Sequence, residues 1–213
     1  MRDGVRALVL SALDAALSRE LLDLGAATVY EAAGGEGGLD PAIRPAWPGA
    51  RACGPALPVA CAVGDNLAIH RALEAAGEGA VLVVDARGHL AGYWGEVMAV
   101  AAQARGVAGL VIDGGVRDSA ALERLGFPAF ARGLSILRTV KHEPGRVGEP
   151  VVVGGVTVRA GDVVVADRDG VMAVRSERLE EVLLASRARA TREAQVMARL
   201  RAGELTLDVL GLR

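Results

Sequence analysis

The chain has 213 residues, enough for one domain or one compact two-lobed unit, and its 52% hydrophobic content supplies a real core. Aromatics make up only 3%, so Val, Leu and Ala must fill that core, and 24 basic against 26 acidic residues leave no basic bias for nucleic acid. Cys53 and Cys61 are the only cysteines. They could pair, but they fit a reduced, cytoplasmic protein better than a disulfide framework. The stretch Ala7–Leu10 behind Arg2 and Arg6 loosely mimics a leader, which Asp14 interrupts, and no later segment supplies the roughly 18 apolar residues of a membrane span.

Taken in chain order, residues 4–24 carry apolar positions at helical spacing, with Gly25 as the stop. Gly34–Gly38 forms a loop, and Pro41, Pro45 and Pro48 keep the next stretch extended. Residues 50–63 are apolar but broken by proline, which predicts a strand pair or an edge strand. Asp65 is placed to cap a helix from Leu67 to about Ala76, ended by Gly77 and Gly79. Residues 80–85 form a strand that is apolar on both faces. A helix runs from Glu96 to about Arg105, with Val97, Val100, Ala101 and Ala104 on one stripe. Residues 107–112 give a second buried strand, Ser119–Leu125 a short helix stopped by Gly126, and Phe127–Ala131 a third strand. This βαβαβ rhythm implies parallel strands with helical crossovers.

The pattern then changes. Val151–Val158 with Gly154-Gly155 at its centre predicts a hairpin, and Val163–Ala166 with Val171–Val174 another, turned through Asp169-Gly170. A long charged helix closes the chain from Glu177 to about Ala202, with a stripe through Leu179, Val182, Leu183, Val196 and Leu200. The whole reads as α/β with parallel βαβ units and a β-hairpin-rich second half.

Chemistry concentrates where the strand at 107–112 ends. Gly114-Gly115 is followed by Val116, then by Arg117 and Asp118 side by side, with Glu96 at a helix head upstream. Asp118 is an oxygen ligand suited to Mg²⁺ or Mn²⁺, and Arg117 offers a planar fork matched to a carboxylate. The amides of Val97 and Met98, in the first turn of that helix, lack intrahelical acceptors and can receive an anion. The bland readings are a surface ion pair, a helix cap and a favourable dipole partner. Asp85 and Asp113 read as turn residues, Asp65 as a cap and little else, and His70, His89 and His142 share no metal-ligand spacing. Lys141 is the only lysine and lies in a Gly/Pro-rich stretch, poorly placed for a Schiff base, so any carbon–carbon chemistry calls for a metal as electron sink.

From Thr28 to Gly203 the chain resembles the RraA-like family, which includes the class II 4-hydroxy-4-methyl-2-oxoglutarate aldolases. The segments that carry the resemblance are Gly64–His70, Trp94-Gly95-Glu96, Gly106–Asp118 and, more weakly, Gly161-Asp162 through Asp169-Gly170-Val171. It implies a single domain over residues 1–213 with a layered β/β/α swivelling-domain-like fold, assembled as a homotrimer or a dimer of trimers with the active site at the subunit interface. It also implies divalent-metal-dependent cleavage of 4-hydroxy-2-oxo acids to pyruvate, with oxaloacetate decarboxylation as a second activity, through an enolate stabilised by Mg²⁺ or Mn²⁺. By resemblance Asp118 holds the metal, and Arg117 with Gly95 and the amides of Val97 and Met98 binds the 2-oxo acid. Glu193 enters as an acid from the neighbouring subunit, and Glu31 is a further acid near the early loop. The family's aldolases carry Asp, twenty residues, then Arg-Asp; here Glu96 stands at the Asp position, one methylene longer. A regulatory branch shares the fold and binds and inhibits an RNA-degrading endonuclease, which makes a non-enzymatic regulator the alternative. The acid at Glu96 favours the enzyme. A quinone methyltransferase reading lacks a Gly-rich loop for its cofactor.

Overall fold

A computed structural model describes residues 13–213. Residues 4–12 of the first predicted helix and the leader-like stretch 7–10 lie outside the described residues. The remainder of that helix forms α1 (Ala15–Leu24), capped by the Asp14 carboxylate, which accepts from the Ala16 amide at 2.8 Å, and stopped by Gly25 at φ 83°. α2 (Ala26–Ala32) follows at once and was not anticipated.

The centre is a parallel ladder. β2 (Ala52–Ala60), β3 (Val81–Asp85), β4 (Gly109–Val116) and β5 (Ala129–Leu134) pair in that order, joined by α3 (Leu67–Ala75), α4 (Glu96–Gln103) and α5 (Ser119–Leu125). A two-residue strand, β1 (Arg44–Pro45), closes the β5 edge antiparallel. On the other side β2 pairs with β9 (Val163–Ala166), which forms a hairpin with β10 (Val171–Val174), and with the short β6 (Arg146–Val147). β7 (Val151–Val153) and β8 (Val156–Val158) form the predicted separate hairpin. The chain ends in α6 (Leu179–Arg201), entered through a 3₁₀ turn, and a short α7 (Thr206–Val209).

Alternation along the strands sets the layers, because successive side chains face opposite sides of the sheet. Leu82, Val84, Leu110 and Ile112 pack with Ile69, Leu73, Ala99 and Leu122 of the crossover helices. Val81, Val83 and Val111 point the other way, onto Val151, Val153 and Val158 of the hairpin. A third cluster joins Leu21, Val29, Val182 and Leu183 of the outer helices to Cys53, Val163, Val165 and Met172. The result is the layered β/β/α arrangement anticipated above.

Residues 50–63 need correction. They form neither a strand pair nor an edge strand but one central strand, β2. Pro55 is in register with Val163 of β9 and stands just before Ala56, the first residue paired with β3; Pro58 is in register with Val83 of β3 and lies between the last residue paired with β9 and the first paired with β6. Both cysteines are buried and unpaired, and burial pushes each thiol up to about 12, which keeps them protonated and inert. No helix among the described residues is long and apolar enough to cross a membrane.

Two aspartates do more than the sequence suggested. Asp113 is not a turn residue: it is buried inside β4, where its carboxylate pairs with Arg132 and accepts from the Gly154 amide at 3.1 Å. Arg132 also reaches Asp40 at 2.8 Å, so the pair ties β4 and β5 to the β7–β8 turn. Asp65 accepts from the Leu67 amide at 2.8 Å, as a cap should, but also from the amides of His142 at 2.6 Å and Glu143 at 2.9 Å. Burial alone would raise its pKa; the Leu67, Glu143 and His142 amides outweigh that and hold the carboxyl below its ordinary value. A lowered folded pKa means that this contribution to stability is complete above the unfolded value, about 4. It is lost as pH falls through the folded value. Asp65→Asn is therefore expected to lower stability at neutral pH and to flatten the acid limb of a denaturation midpoint-versus-pH curve below about pH 4. An acid limb identical to wild type would remove Asp65 from that role.

Candidate active site

Four loops meet at one end of the parallel ladder. Asn66 and His70 follow β2, Gly92 through Gly95 with Val97 and Met98 follow β3, Arg117 and Asp118 follow β4, and Arg138, Thr139 and Lys141 follow β5. They line a cavity of about 230 Å³. In parallel α/β sheets ligands bind in the crevice outside the carboxyl ends of the strands, where loops converge and helix N-termini point inward.

Local sequence explains how the Arg-Asp pair is aimed. Between Ile112 and Gly115, β4 carries one more residue than β5, a bulge that re-aims the strand end. Gly115 has no side chain because a Cβ there would lie 2.6 Å from the Ala91 carbonyl, so the β3–α4 loop can cross against β4. That loop then pairs with the strand: Trp94 bridges Val116, and the Arg117 amide donates to the Trp94 carbonyl at 2.8 Å. Asp118 adopts the left-handed conformation, φ 58°, which Asp tolerates better than most residues. Its carbonyl accepts from the Ala121 and Leu122 amides to start α5, but its side chain does not cap that helix. The carboxylate turns instead to α4, where Oδ2 accepts from the Glu96 amide at 3.1 Å and lies 3.6 Å from Arg117 Nε.

The structure thus brings Arg117 and Asp118 to the backbone of Glu96 at the α4 tip, but not to the Glu96 carboxylate. Gly95 is the hinge that permits it: a Cβ there would sit 2.4 Å from Asp118 Oδ2. The amides of Val97 and Met98 have no acceptor among the described residues, whereas Ala99 already donates to the Gly95 carbonyl. Asp118 is half-exposed, neither a buried structural charge nor a distant surface one. The Glu96 carboxylate is half-exposed, 3.8 Å from Arg124 on α5, and is not part of the cavity wall.

The two acids assigned by resemblance lie elsewhere in the single chain. Glu193 on α6 is 2.9 Å from Arg189 Nε, a charge contact without hydrogen-bond alignment, and Glu31 on α2 is 3.6 Å from the same guanidinium. Neither lines the Arg117 cavity. Conversely, Asn66, His70, Arg138, Thr139 and Lys141 line it and were not read as site residues. Lys141 lines the cavity but is exposed, not desolvated as a Schiff-base amine must be. His89, by contrast, is occupied with the Tyr93 hydroxyl at 3.0 Å.

This is an α/β protein with a cavity of arginine, carboxylate and free helix amides at the carboxyl ends of its parallel strands. The chain belongs to the RraA-like family, described as Aldolase/RraA, whose model matches residues 18–173. A relative from Halalkalibacterium halodurans, provisionally named 4-hydroxy-4-methyl-2-oxoglutarate aldolase, is 37% identical over 156 residues, 73% of this chain and 74% of that protein. A crystal structure of an uncharacterized protein from Pseudomonas syringae superposes with a TM-score of 0.78 at 28% identity, over 91% of this chain and 96% of that one. Streptomyces coelicolor RraAS2, described as an unusual member of the RNase ES inhibitor RraA protein family, superposes with a TM-score of 0.75 at 28% identity, over 88% and 98%.

Proposed function

We propose that the protein is a divalent-metal-dependent lyase that cleaves 4-hydroxy-2-oxo acids to pyruvate and decarboxylates oxaloacetate. The observation that carries this reading is the contact of Asp118 with the α4 N-terminus, which gathers a carboxylate, a guanidinium and two free amides around one small cavity. No group of three or more His, Cys, Asp or Glu able to hold a metal occurs among the described residues. That donor set fits an ion held by Asp118 alone, with water and substrate completing the sphere, as Mg²⁺ and Mn²⁺ tolerate and Zn²⁺ rarely does. Held by Asp118, such an ion would supply Lewis-acid positive charge to the oxygens of a bound 2-oxo acid.

The chain's own groups do the rest. Arg117 and the amides of Val97 and Met98 fix the 2-oxo acid end and oppose the charge that develops on the 2-oxo oxygen. In the aldol cleavage the C3–C4 bond breaks, its electron pair moves toward C2 and its oxygen, and the C4 hydroxyl passes its proton to a water in the cavity as C4 becomes a carbonyl. Glu96, at the tip of α4, positions the water that returns that proton to C3, giving pyruvate. In the decarboxylation the same bond breaks with loss of CO₂. Glu193 acts from a neighbouring subunit on the departing half. A homotrimer or dimer of trimers is supported by the exposed Val97, Ile136 and Leu137 around the cavity and Leu205, Leu207 and Leu210 near α7.

The test is pyruvate release from 4-hydroxy-4-methyl-2-oxoglutarate and oxaloacetate with added Mg²⁺ or Mn²⁺. Chelation with EDTA is expected to remove the activity and either ion to restore it; turnover indifferent to EDTA overturns the metal assignment. The likeness to RraAS2 favours one rival, a regulator of an RNA-degrading endonuclease. That reading gains if no substrate turns over and the protein instead associates with such a nuclease.

A further inference from the structure

Two residues of the β3–α4 loop, His89 and Tyr93, take no part in the mechanism above, yet they tie that loop to its neighbour. The Tyr93 side chain is fully buried. Its hydroxyl accepts from the Gly64 amide at 2.6 Å, across to the β2–α3 loop, and lies 3.0 Å from His89 Nδ1. The two rings meet edge to face, their planes 88° apart and their centroids 5.8 Å apart. A tight turn aims His89 there: its amide donates to the Ala86 carbonyl at 3.0 Å, across Arg87 and Gly88 at φ 56° and 71°. Arginine in the left-handed region is costly, and such residues persist where surrounding contacts fix them. Here the Asp85 carboxylate accepts from the Arg87 amide at 2.8 Å.

The direction of the protons follows from the donors. A backbone amide can only donate, so the Gly64 bond uses the phenol oxygen as acceptor. Burial holds the phenol above its ordinary pKa, against the opposing pull of the Gly64 amide, so it keeps its proton. Its only partner besides Gly64 among the described residues is His89 Nδ1. The phenol therefore donates to a bare Nδ1, which requires neutral His89 with its proton on Nε2. A protonated His89 would turn an N–H toward the same oxygen and leave the buried phenol proton without an acceptor. Cys61, Asp65 and Asp85 act on the Tyr93 hydroxyl, and the Arg132–Asp113 pair stands beside Gly88. None of these forms an ion pair with His89, and of these residue types histidine alone ordinarily changes charge between about pH 5 and 8.

The loop so tied is the one that aims the site. The Tyr93 amide donates to the Gly115 carbonyl at 3.1 Å, and the next residue, Trp94, accepts from the Arg117 amide at 2.8 Å before the chain enters α4. We propose that His89 and Tyr93 are positioning residues that form a proton-sensitive latch on the β3–α4 loop: with His89 neutral the latch holds Arg117 and the α4 tip in place, and protonation of His89 releases it. The effect on turnover rests on the catalytic reading above; the latch itself does not.

Hydrogen–deuterium exchange of residues 61–67 and 89–98, corrected for the intrinsic rate at each pH, reads the latch at about pH 8 and about pH 5. Tyr93→Phe removes only the hydroxyl and is expected to raise exchange in both segments about 5- to 10-fold at either pH. The wild type should show the same rise at the lower pH only. His89→Asn, whose Oδ1 stands near the place of Nδ1 and accepts at any pH, should stay protected at both. In pyruvate release, Tyr93→Phe should lower kcat about 5- to 10-fold, and His89→Asn should move the acid limb of kcat/KM to lower pH. Wild-type exchange that ignores pH, or a His89→Asn protein that opens at low pH as the wild type does, overturns the latch. Exchange that rises in Tyr93→Phe with kcat unchanged overturns the positioning role. Absence of turnover by the wild type overturns the catalytic reading, and the exchange results still decide the latch.

Discussion

Asp118→Asn is expected to lower metal-dependent pyruvate release by about 10²- to 10³-fold while the protein stays folded. Asparagine tolerates the left-handed backbone at φ 58°, and its carbonyl oxygen can still accept from the Glu96 amide. The main-chain bonds that start α5 from the Asp118 carbonyl are untouched. What disappears is the negative charge, which would hold the cation and which now sits 3.6 Å from Arg117 Nε. Both partners of that ion pair are about half exposed, so its loss costs little stability. Initial rates at saturating Mn²⁺, set beside a thermal unfolding curve, separate the two effects. A variant that keeps more than a tenth of the rate excludes Asp118 as the metal ligand; one that unfolds many degrees earlier makes it structural.

What the sequence revealed and what it hid divide along the range of the interactions. α5 was legible to the residue, because Ser119, the Ala121/Leu122 pair and Gly126 at φ 65° are a complete local instruction. The β9–β10 hairpin was equally legible, since two valine-rich runs flank Asp169-Gly170. α2 was not. It is one short helix whose first amide, that of Ala26, is satisfied by the Asp167 carboxylate at 2.8 Å, 141 residues away in sequence. β2 misled for the same reason: whether a proline breaks a strand depends on where the neighbouring strands stop pairing, which its own sequence does not contain. The site repeats the pattern. Arg117, Asp118 and the α4 tip were found because each lies next to a glycine or a helix start. Lys141 was missed because only the pairing of Val140 with Asp65 brings its loop back over the cavity. Glu31 and Glu193 came from the family resemblance and meet at Arg189, away from the cavity.

Gly95→Ala separates placement from folding most sharply, and the expected loss is about 10²-fold in pyruvate release with stability changed by less than about 1 kcal/mol. The backbone at Gly95 is fully extended, φ −163°, a conformation alanine adopts freely. The added methyl would meet Asp118 Oδ2 at 2.4 Å and Arg117 Cγ and Nε at 3.1 and 3.3 Å, and it meets no backbone atom at such range. Side chains can swing away, so the fold absorbs the change, but the carboxylate and the guanidinium lose their positions against the α4 amides. Displacements of about 1 Å in a reacting site cost on the order of 10²-fold. Gly115→Ala supplies the contrast, because its methyl would press on the Ala91 carbonyl at 2.6 Å, a backbone atom that cannot step aside. That variant should lose stability first and activity only as a consequence. If Gly95→Ala instead turns over at the wild-type rate, the Arg117–Asp118 geometry does not set the rate. If it unfolds as readily as Gly115→Ala, the glycine serves the scaffold and not the chemistry.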